Sequence, residues 1–174
     1  IKKISDEWCK TKKEPELDFA FGHVNFDELK DERYFICKHG SRIVGFIVFY
    51  PIYSINSYYL DITRRNFDSP RGVIDFLHIE SFNILKEEGV KKIYIGLAPL
   101  SFINNKSILN NQKSLNLLII LKQLFEIIYP AKSEFFYKKK FATDWEPNYV
   151  CFYPRLSIRT LFSLFYVVYK DGLG

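Results

Sequence analysis

The sequence predicts an α/β fold in which a mixed central sheet is flanked by helices. Two observations support this class. Segments rich in β-branched and aromatic residues fill the first third of the chain, and segments with helical periodicity then alternate with short apolar runs. In addition, 174 residues of which 48% are hydrophobic are enough to bury one compact core. No repeat or Pro/Gly linker divides the chain, so we expect residues 1–174 to form a single domain.

The first elements are strands. Residues 34–50 predict a hairpin with its turn at Gly40, because apolar and aromatic residues flank a short glycine-containing segment. Residues 57–63 predict a third strand. Residues 73–88 have apolar side chains at helical spacing, and Gly89 follows where a helix commonly ends in a glycine.

The second half of the chain predicts mostly helices. The order becomes hairpin, strand, helix, strand, helix, helix, strand, helix, which is typical of a GNAT-like acyltransferase fold. The elements behind this order are a strand at 92–97, an apolar helix at 115–129 ended by Pro130, a helix at 133–141, a strand at 148–153 and an aromatic-rich helix at 157–170.

Charge and composition narrow the function classes. The formal net charge of +5 points weakly to anionic partners such as nucleic acid or acidic lipid. The three cysteines and three histidines have neither the spacing of a zinc site nor that of a disulfide framework, so we expect no metal and a reducing compartment. Because the chain begins at Ile1 and contains no Met, we expect it to be a piece of a longer protein.

A basic loop between the third strand and the first long helix is the strongest candidate for an anion site. Arg64, Arg65 and Arg71 precede a predicted helix whose first N–H groups lack partners, and such groups bind phosphate well. The alternative is a solvated loop in which these arginines pair with nearby aspartates. Only Gly72 is available for a pyrophosphate cradle, which argues against a coenzyme A site.

Lysines alternate with aromatic residues at 135–141, and Trp145 follows closely. This pattern suits the end of a single-stranded nucleic acid, because lysines contact phosphates and rings stack on bases. The alternative is a helix whose aromatic residues face the core while its lysines are merely exposed.

Five sequence blocks occur in order along the chain. They are Ser5-Asp6-Glu7-Trp8, Asp61-Ile62-Thr63-Arg64-Arg65, Gly72-Val73-Ile74-Asp75-Phe76-Leu77, Gly96-Leu97-Ala98-Pro99-Leu100-Ser101, and Lys138-Lys139-Lys140-Phe141 with Trp145-Glu146 and Tyr149. Together the blocks resemble the phosphatidylglycerol lysyltransferase family, also called the multiple peptide resistance factor family. The chain departs from the usual pattern at Thr63 and Leu97, where the family has Met, at Thr143, where it has Pro, and at Asn148, where it has Arg.

The resemblance implies the second, catalytic GNAT-like half of a tandem cytosolic region that follows a transmembrane part of the same chain. It implies a transesterification that needs no cofactor: a hydroxyl of phosphatidylglycerol attacks the ester of an aminoacyl-tRNA, with lysine the expected amino acid. The location implied is the cytoplasmic face of the cell membrane. The product lipid is less anionic, which lowers the attraction of cationic antimicrobial peptides.

The resemblance also implies roles for particular side chains. Asp61 and Arg64 are expected to be catalytic, and Lys140 is expected to stabilise charge or bind the tRNA 3′ end, with Lys138 as the alternate. Because Asp61 and Arg64 end a predicted strand beside a loop, we expect their substitution to abolish transfer without unfolding. The expected substrate-binding residues are Asp6 and Asp75 for the ammonium, Trp8 packed against it, and Arg65, Lys138 and Trp145.

Three other functions remain open from the sequence. They are a peptidoglycan-type aminoacyl-tRNA transferase, a non-catalytic basic module that binds tRNA or anionic lipid, and a coenzyme A acetyltransferase. The apolar stripe of the last helix, which includes Ile158 and Phe162, has two interpretations: packing in the core, or contact with the membrane interface.

Overall fold

A computed structural model describes residues 1–11, 31–98, 101, 116, 119, 122, 131–149, 153, 157–160, 162, 163 and 166. The chain divides into two compact units. The first comprises residues 1–96 with 163–174, and the second comprises residues 97–162. Each unit is described by itself, and the single-domain organisation stays a prediction.

The first unit contains a four-stranded sheet in the order β1-β2-β3-β4. The β1–β2 and β2–β3 pairs are antiparallel, and β3–β4 is parallel. The sheet is therefore mixed, as predicted. Its strands are β1 (Arg33–His39), β2 (Arg42–Ile52), β3 (Ser57–Arg65) and β4 (Lys92–Tyr94), and the unit also contains helices α1 (Lys2–Thr11) and α2 (Val73–Glu87) and a 3-10 turn (Tyr53–Ile55).

The two faces of the sheet are covered by different helices. One cluster joins Ile47, Phe49 and Leu60 of the sheet to Leu77 and Leu85 of α2. On the other face, Phe46, Val48 and Ile62 pack with Ile4 of α1. Strand alternation explains this division, because successive residues of β2 point to opposite faces and six residues in a row are buried.

A bulge in β2 brings α2 close to the sheet. Cys37 pairs with Gly45 but Lys38 pairs with Ile43, so β2 holds one extra residue at this point. A Cβ atom on Gly45 would lie 2.8 Å from Cγ1 of Val73 and 3.4 Å from Cδ1 of Leu77. Glycine is thus required here by the close approach of α2 rather than by its backbone angle.

The parallel strands β3 and β4 are connected through α2, and Asn56 links the start of β3 to this connection. Asn56 has a left-handed φ of 47°, its side-chain amide donates to the Gly89 carbonyl at 3.1 Å, and its own carbonyl accepts from the Lys91 amide at 3.1 Å. Gly89 has a φ of 80°, as expected of a glycine just past a helix end. One residue therefore holds the start of β3 next to the connection that leads into β4.

In the second unit, α3 (Ala131–Lys139) carries an aromatic cluster. The Phe135 ring lies 5.1 Å from that of Trp145, and the Tyr137 ring lies 5.5 Å from that of Phe141, centre to centre. Ser157 caps a helical segment: its Oγ accepts from the Thr160 amide at 3.2 Å, and Thr160 Oγ1 accepts from the Ser157 amide at 2.9 Å.

The predicted fold class is confirmed. The hairpin, the third strand and the helix before Gly89 lie where the sequence placed them, and α3 begins two residues earlier than predicted. The fourth strand is shorter than predicted and ends at Tyr94. The described residues of 148–153, namely Asn148, Tyr149 and Tyr153, are not in a strand.

Most of the predicted helix at 115–129 and the rest of 148–153 lie outside the described residues. The same holds for residues 161, 164, 165 and 167–170 of the helix predicted at 157–170. Within the part of the chain that the structure describes, no helix has the length and apolar character needed to cross a membrane.

Candidate active site

Arg64 is buried on the face of the sheet that α1 covers. Only 5% of Arg64 is exposed, its Nη1 donates to the Ser5 hydroxyl, and its guanidinium lies over the Trp8 ring. The expectation that Arg64 would lie outside the core is therefore wrong. Its strand continues to Arg65, so position 64 still alternates inward and cannot point into the following loop.

Asp61 occupies a register shift in β3. Val48 pairs with Ile62 and Phe49 pairs with Leu60, which leaves Asp61 as the extra residue between them. This shift explains why Leu60 packs towards α2 while Ile62, two residues on, packs towards α1.

The Asp61 carboxyl is held in an unusual environment. Its Oδ2 is buried and has no hydrogen-bond partner among the described residues. Burial raises the pKa of Asp61, and the positive charge of Arg64 offsets part of this rise. A buried carboxyl of this kind is a better proton acceptor than an exposed one.

Three tyrosines and a second carboxylate share the electrostatic environment of Asp61, and the sequence interpretation missed them. Burial, followed by the charges of Glu32 and Asp61, raises the pKa of Tyr50 to about 12. Burial and Asp61 raise the pKa of Tyr59, and burial and Glu32 raise that of Tyr34. The alternation of tyrosines along three adjacent strands was the signal that could have identified them.

The loop after β3 does not gather the predicted three arginines. Arg64 points to the α1 face, and Arg65 donates to the Ser69 hydroxyl at 3.1 Å within the loop. Asp68 is engaged by Arg42 of β2 through two hydrogen bonds of 2.7 and 3.0 Å. The predicted anion site at the start of α2 is thus not assembled as expected, and the alternative pairing of Asp68 with a loop arginine is also wrong.

The remaining candidates of the first unit lie apart. Asp6 is exposed on α1, and Trp8 is half-buried over Arg64. Asp75 lies in the first turn of α2, the helix on the opposite face of the sheet. His78 is buried, and burial lowers its pKa. It is a core histidine whose Nδ1 lies 2.7 Å from the Ile74 carbonyl oxygen.

Two lysines of the second unit have different surroundings. Lys138 Nζ donates to the Leu97 carbonyl at 2.6 Å and lies 3.3 Å from Glu134 Oε2, with 16% of its side chain exposed. Lys140 is exposed, and its Nζ lies 5.0 Å from the centre of the Tyr137 ring. Lys138 is therefore held by a backbone carbonyl and a carboxylate. Trp145 packs against Phe135.

Comparison with known proteins decides the family. Residues 1–152 match the family described as phosphatidylglycerol lysyltransferase, C-terminal. The chain belongs to this family. The matched residues of the phosphatidylglycerol lysyltransferase C-terminal family include all nine predicted site residues, from Asp6 to Trp145.

Individual relatives agree with this membership. The phosphatidylglycerol lysyltransferase of Bacillus subtilis (strain 168) is 27% identical over 152 residues, 87% of this chain and 17% of that protein. That of Staphylococcus epidermidis (strain RP62A) is 23% identical over 161 residues, 91% of this chain and 18% of that protein. The structure of L-PGS from Bacillus licheniformis is 31% identical with a TM-score of 0.50, covering 59% of this chain and 32% of that one.

The chain therefore spans less than a fifth of the length of these two curated relatives. The GNAT-like α/β class predicted from the sequence is confirmed by the mixed sheet with its helices and by the likeness to L-PGS. Among the described residues, no group of three His, Cys, Asp or Glu side chains is arranged to hold a metal ion.

Proposed function

We propose that this chain is an aminoacyltransferase that moves lysine from lysyl-tRNA to a hydroxyl of phosphatidylglycerol. The observation that carries the proposal is the family match over residues 1–152, which includes the sheet with Asp61 and Arg64. The relatives named above are phosphatidylglycerol lysyltransferases, and this supports both the lipid acceptor and the amino acid.

The reaction exchanges one ester for another, so the protein must position two substrates and handle one proton. The lipid hydroxyl attacks the ester carbonyl carbon and forms a new C–O bond. The bond from that carbon to the ribose oxygen of tRNA then breaks, and the ribose oxygen receives the proton that the lipid hydroxyl has lost. The step is balanced without an oxidant or another reactant.

We assign Asp61 as the group that takes the proton from the lipid hydroxyl. Its buried Oδ2, which has no partner among the described residues, and its raised pKa both support this role. Arg64 favours the ionised form of Asp61, because its charge lowers the pKa of Asp61 against the larger effect of burial.

In the second unit we assign Lys140 to the tRNA acceptor end or to the charge that develops in transfer. Its exposure supports an external partner, whereas Lys138 already contacts Leu97 and Glu134. We therefore treat Lys138 as a residue that holds α3 in place.

We further propose that the chain works at the cytoplasmic face of the cell membrane. Ile158 and Phe162 are 63% and 71% exposed, and they lie four residues apart in helical segments of the second unit, one turn from each other. Exposed apolar side chains at this spacing suit the membrane interface, where lipid headgroups are reached without extracting acyl chains. The lysylated lipid is less anionic, which supports a role in resistance to cationic antimicrobial peptides.

The test is transfer of radiolabelled lysine from lysyl-tRNA to phosphatidylglycerol vesicles, followed by extraction of the lipid. The proposal expects labelled lipid with the wild-type chain and none with Asp61→Asn. Label on an added peptidoglycan precursor instead of the lipid would favour the peptidoglycan-type transferase. Binding of lysyl-tRNA without any transfer would favour a non-catalytic module.

A further inference from the structure

Glu32 lies at the end of a row of polar side chains that crosses three strands. Arg33 pairs with Phe49 and Tyr34 pairs with Val48, so the same register continued by one residue places Glu32 opposite Tyr50. Tyr50 in turn pairs with Tyr59 of β3. The row therefore reads Glu32, Tyr50, Tyr59, and it borders the apolar cluster on the α1 face, where Tyr34 and Tyr50 also pack.

The Glu32 carboxylate sits between two tyrosines. Tyr34 is two residues further along the strand and so points to the same face. Burial, and after it the charge of Glu32, raises the pKa of both Tyr34 and Tyr50. Both tyrosines are half-buried, so the carboxylate has an aromatic rather than an aqueous surrounding.

The hydrogen bonding of the Glu32 carboxylate is incomplete among the described residues. Glu32 Oε2 is buried and has no hydrogen-bond partner among the described residues, as is also true of Asp61 Oδ2. Buried polar atoms are nearly always paired in folded proteins, so two unpaired carboxylate oxygens on one face require an explanation. A ligand that donates hydrogen bonds would supply it.

The charges decide which ligand fits. Two carboxylates, Glu32 and Asp61, share this face with one buried guanidinium, that of Arg64, whose contacts include the Ser5 hydroxyl and the Trp8 ring. Such a balance repels phosphate and attracts a cation. A primary ammonium has three donors for carboxylate oxygens, and its charge is attracted to the faces of tyrosine rings.

We propose that Glu32, held between Tyr34 and Tyr50, binds the primary ammonium of the transferred amino acid. This subsite rests on the proposed function, since an aminoacyl ester always carries an α-ammonium and lysine carries a second one. It replaces Asp6 and Asp75, which the sequence suggested for this role: Asp6 is exposed, and Asp75 belongs to the helix on the opposite face of the sheet.

Calorimetric titration with L-lysinamide, a neutral-ended analogue of the lysyl ester, tests the subsite directly. We expect Glu32→Gln to weaken binding by about 10- to 100-fold, because a hydrogen bond to a charged group is lost. Tyr50→Phe keeps the ring opposite Glu32 but removes its hydroxyl, and we expect a smaller loss. Glu80→Gln, which neutralises an exposed carboxylate of α2, is the matched control and should bind as the wild type does.

Two acetylated probes identify the ammonium. Loss of binding with Nα-acetyl-lysinamide assigns the α-ammonium, and loss with Nε-acetyl-lysinamide assigns the side-chain ammonium. Equal binding of lysinamide and both acetylated forms would overturn the proposal, as would equal binding by wild type and Glu32→Gln. Thermal melts of each variant establish that it is folded, and Tyr50→Phe provides the second test should Glu32→Gln melt early.

The subsite and the proposed function fail in different ways. If lysinamide binds through Glu32 but the protein transfers no lysine to lipid, the proposed function is wrong and the subsite stands. If the protein transfers lysine to lipid with the same KM for lysyl-tRNA in the wild type and in Glu32→Gln, the subsite is wrong and the proposed function stands.

Discussion

The guanidinium carbon of Arg64 lies 5.1 Å from the centre of the Trp8 ring, and this contact joins β3 to α1. Since Arg64 also donates to Ser5, its removal affects α1 as well as Asp61. We expect Arg64→Ala to abolish lysine transfer and to lower the free energy of unfolding by about 1.5–3 kcal/mol, the usual cost of a hydrogen bond to a charged group.

This loss is small compared with the typical total free energy of unfolding of a protein, about 5–15 kcal/mol, so Arg64→Ala should remain folded. Urea unfolding measures the change. Arg64→Lys keeps the positive charge near Asp61 and is the comparison. Transfer at the wild-type rate by Arg64→Ala would remove Arg64 from the site, and wild-type transfer by Arg64→Lys alone would show that the positive charge is what the site requires.

Asp61 and Asp68 should respond to pH with opposite signs. The folded-state pKa of Asp61 is raised above 3.8, so its stabilising contribution is complete below that pH and is lost as pH rises through the raised pKa. Asp61→Asn should therefore melt above the wild type at neutral pH while transferring no lysine, and this gain should vanish in acid.

For Asp68, Arg42 lowers the pKa, so the contribution is present above 3.8 and is lost as pH falls through the lowered value. Asp68→Asn should melt slightly below the wild type at neutral pH and match it in acid. Melting curves recorded from acidic to neutral pH test both signs. A wild-type melting temperature above that of Asp61→Asn at neutral pH would contradict the expectation that burial of the ionised Asp61 carboxyl is destabilising.

Lys138 of α3 and Lys140, which follows the helix, should separate stability from activity. Lys138→Met loses the contacts with Leu97 and Glu134 and should lower the melting temperature. Lys140→Met, at an exposed position, should lower the melting temperature less and reduce transfer by about 100-fold if its charge stabilises the transition state. A fall in tRNA affinity alone, with a shallower dependence on salt, would instead identify a phosphate contact. Lys139→Met, at an exposed position of α3, is the control.

Exposed apolar residues of the second unit should mediate contact with lipid. We expect the wild type to float with phosphatidylglycerol vesicles at low salt and the double variant Ile158→Ser, Phe162→Ser to float less, with an unchanged melt, because both side chains are already exposed. Tyr153→Ser, at a position 94% exposed, is the control for loss of surface apolar area. A collapsed melt in the double variant would assign these residues to packing.

Gly45 should tolerate no side chain. We expect Gly45→Ala to lower the free energy of unfolding by about 1–3 kcal/mol, because the added methyl group would meet Val73 and Leu77 of α2. Gly40→Asn is the comparison, since Gly40 has nothing within 4 Å and asparagine accepts its φ of 61°. Urea denaturation distinguishes them, and equal stability of Gly45→Ala and wild type would show that α2 can shift outward.

The sheet and helix α2 were predictable because their signals are local, whereas helix α1 was not predicted. Alternation, the Gly40 turn and the helical spacing before Gly89 all lie within short windows of sequence. The register shift at Asp61 was not predictable in this way, because it depends on how β3 meets β2. Arg64 was misplaced because its strand continues two residues further than the pattern suggested.

The site was predicted only where the family resemblance named its residues. In the structure Arg64 contacts Trp8 and its charge lowers the pKa of Asp61 against the effect of burial, and the roles that the resemblance implied for these residues stay proposals. Glu32 and Tyr50 escaped notice because a carboxylate before a strand and a tyrosine within one are common, and only the cross-strand register places them opposite each other.

The way Asn56 fastens the parallel pair has a consequence for the lifetime of the folded sheet. Strands β1, β2 and β3 follow one another through short turns, so their pairing needs little loop closure and can come early in folding. Strand β4 reaches Ser57 only after the chain has passed through α2. The bond from Asn56 to Gly89 therefore forms late, and contacts that form after the transition state act mainly on the unfolding rate. We therefore expect a side chain in a surface turn to slow the opening of the sheet, and the hairpin to set how fast the sheet assembles.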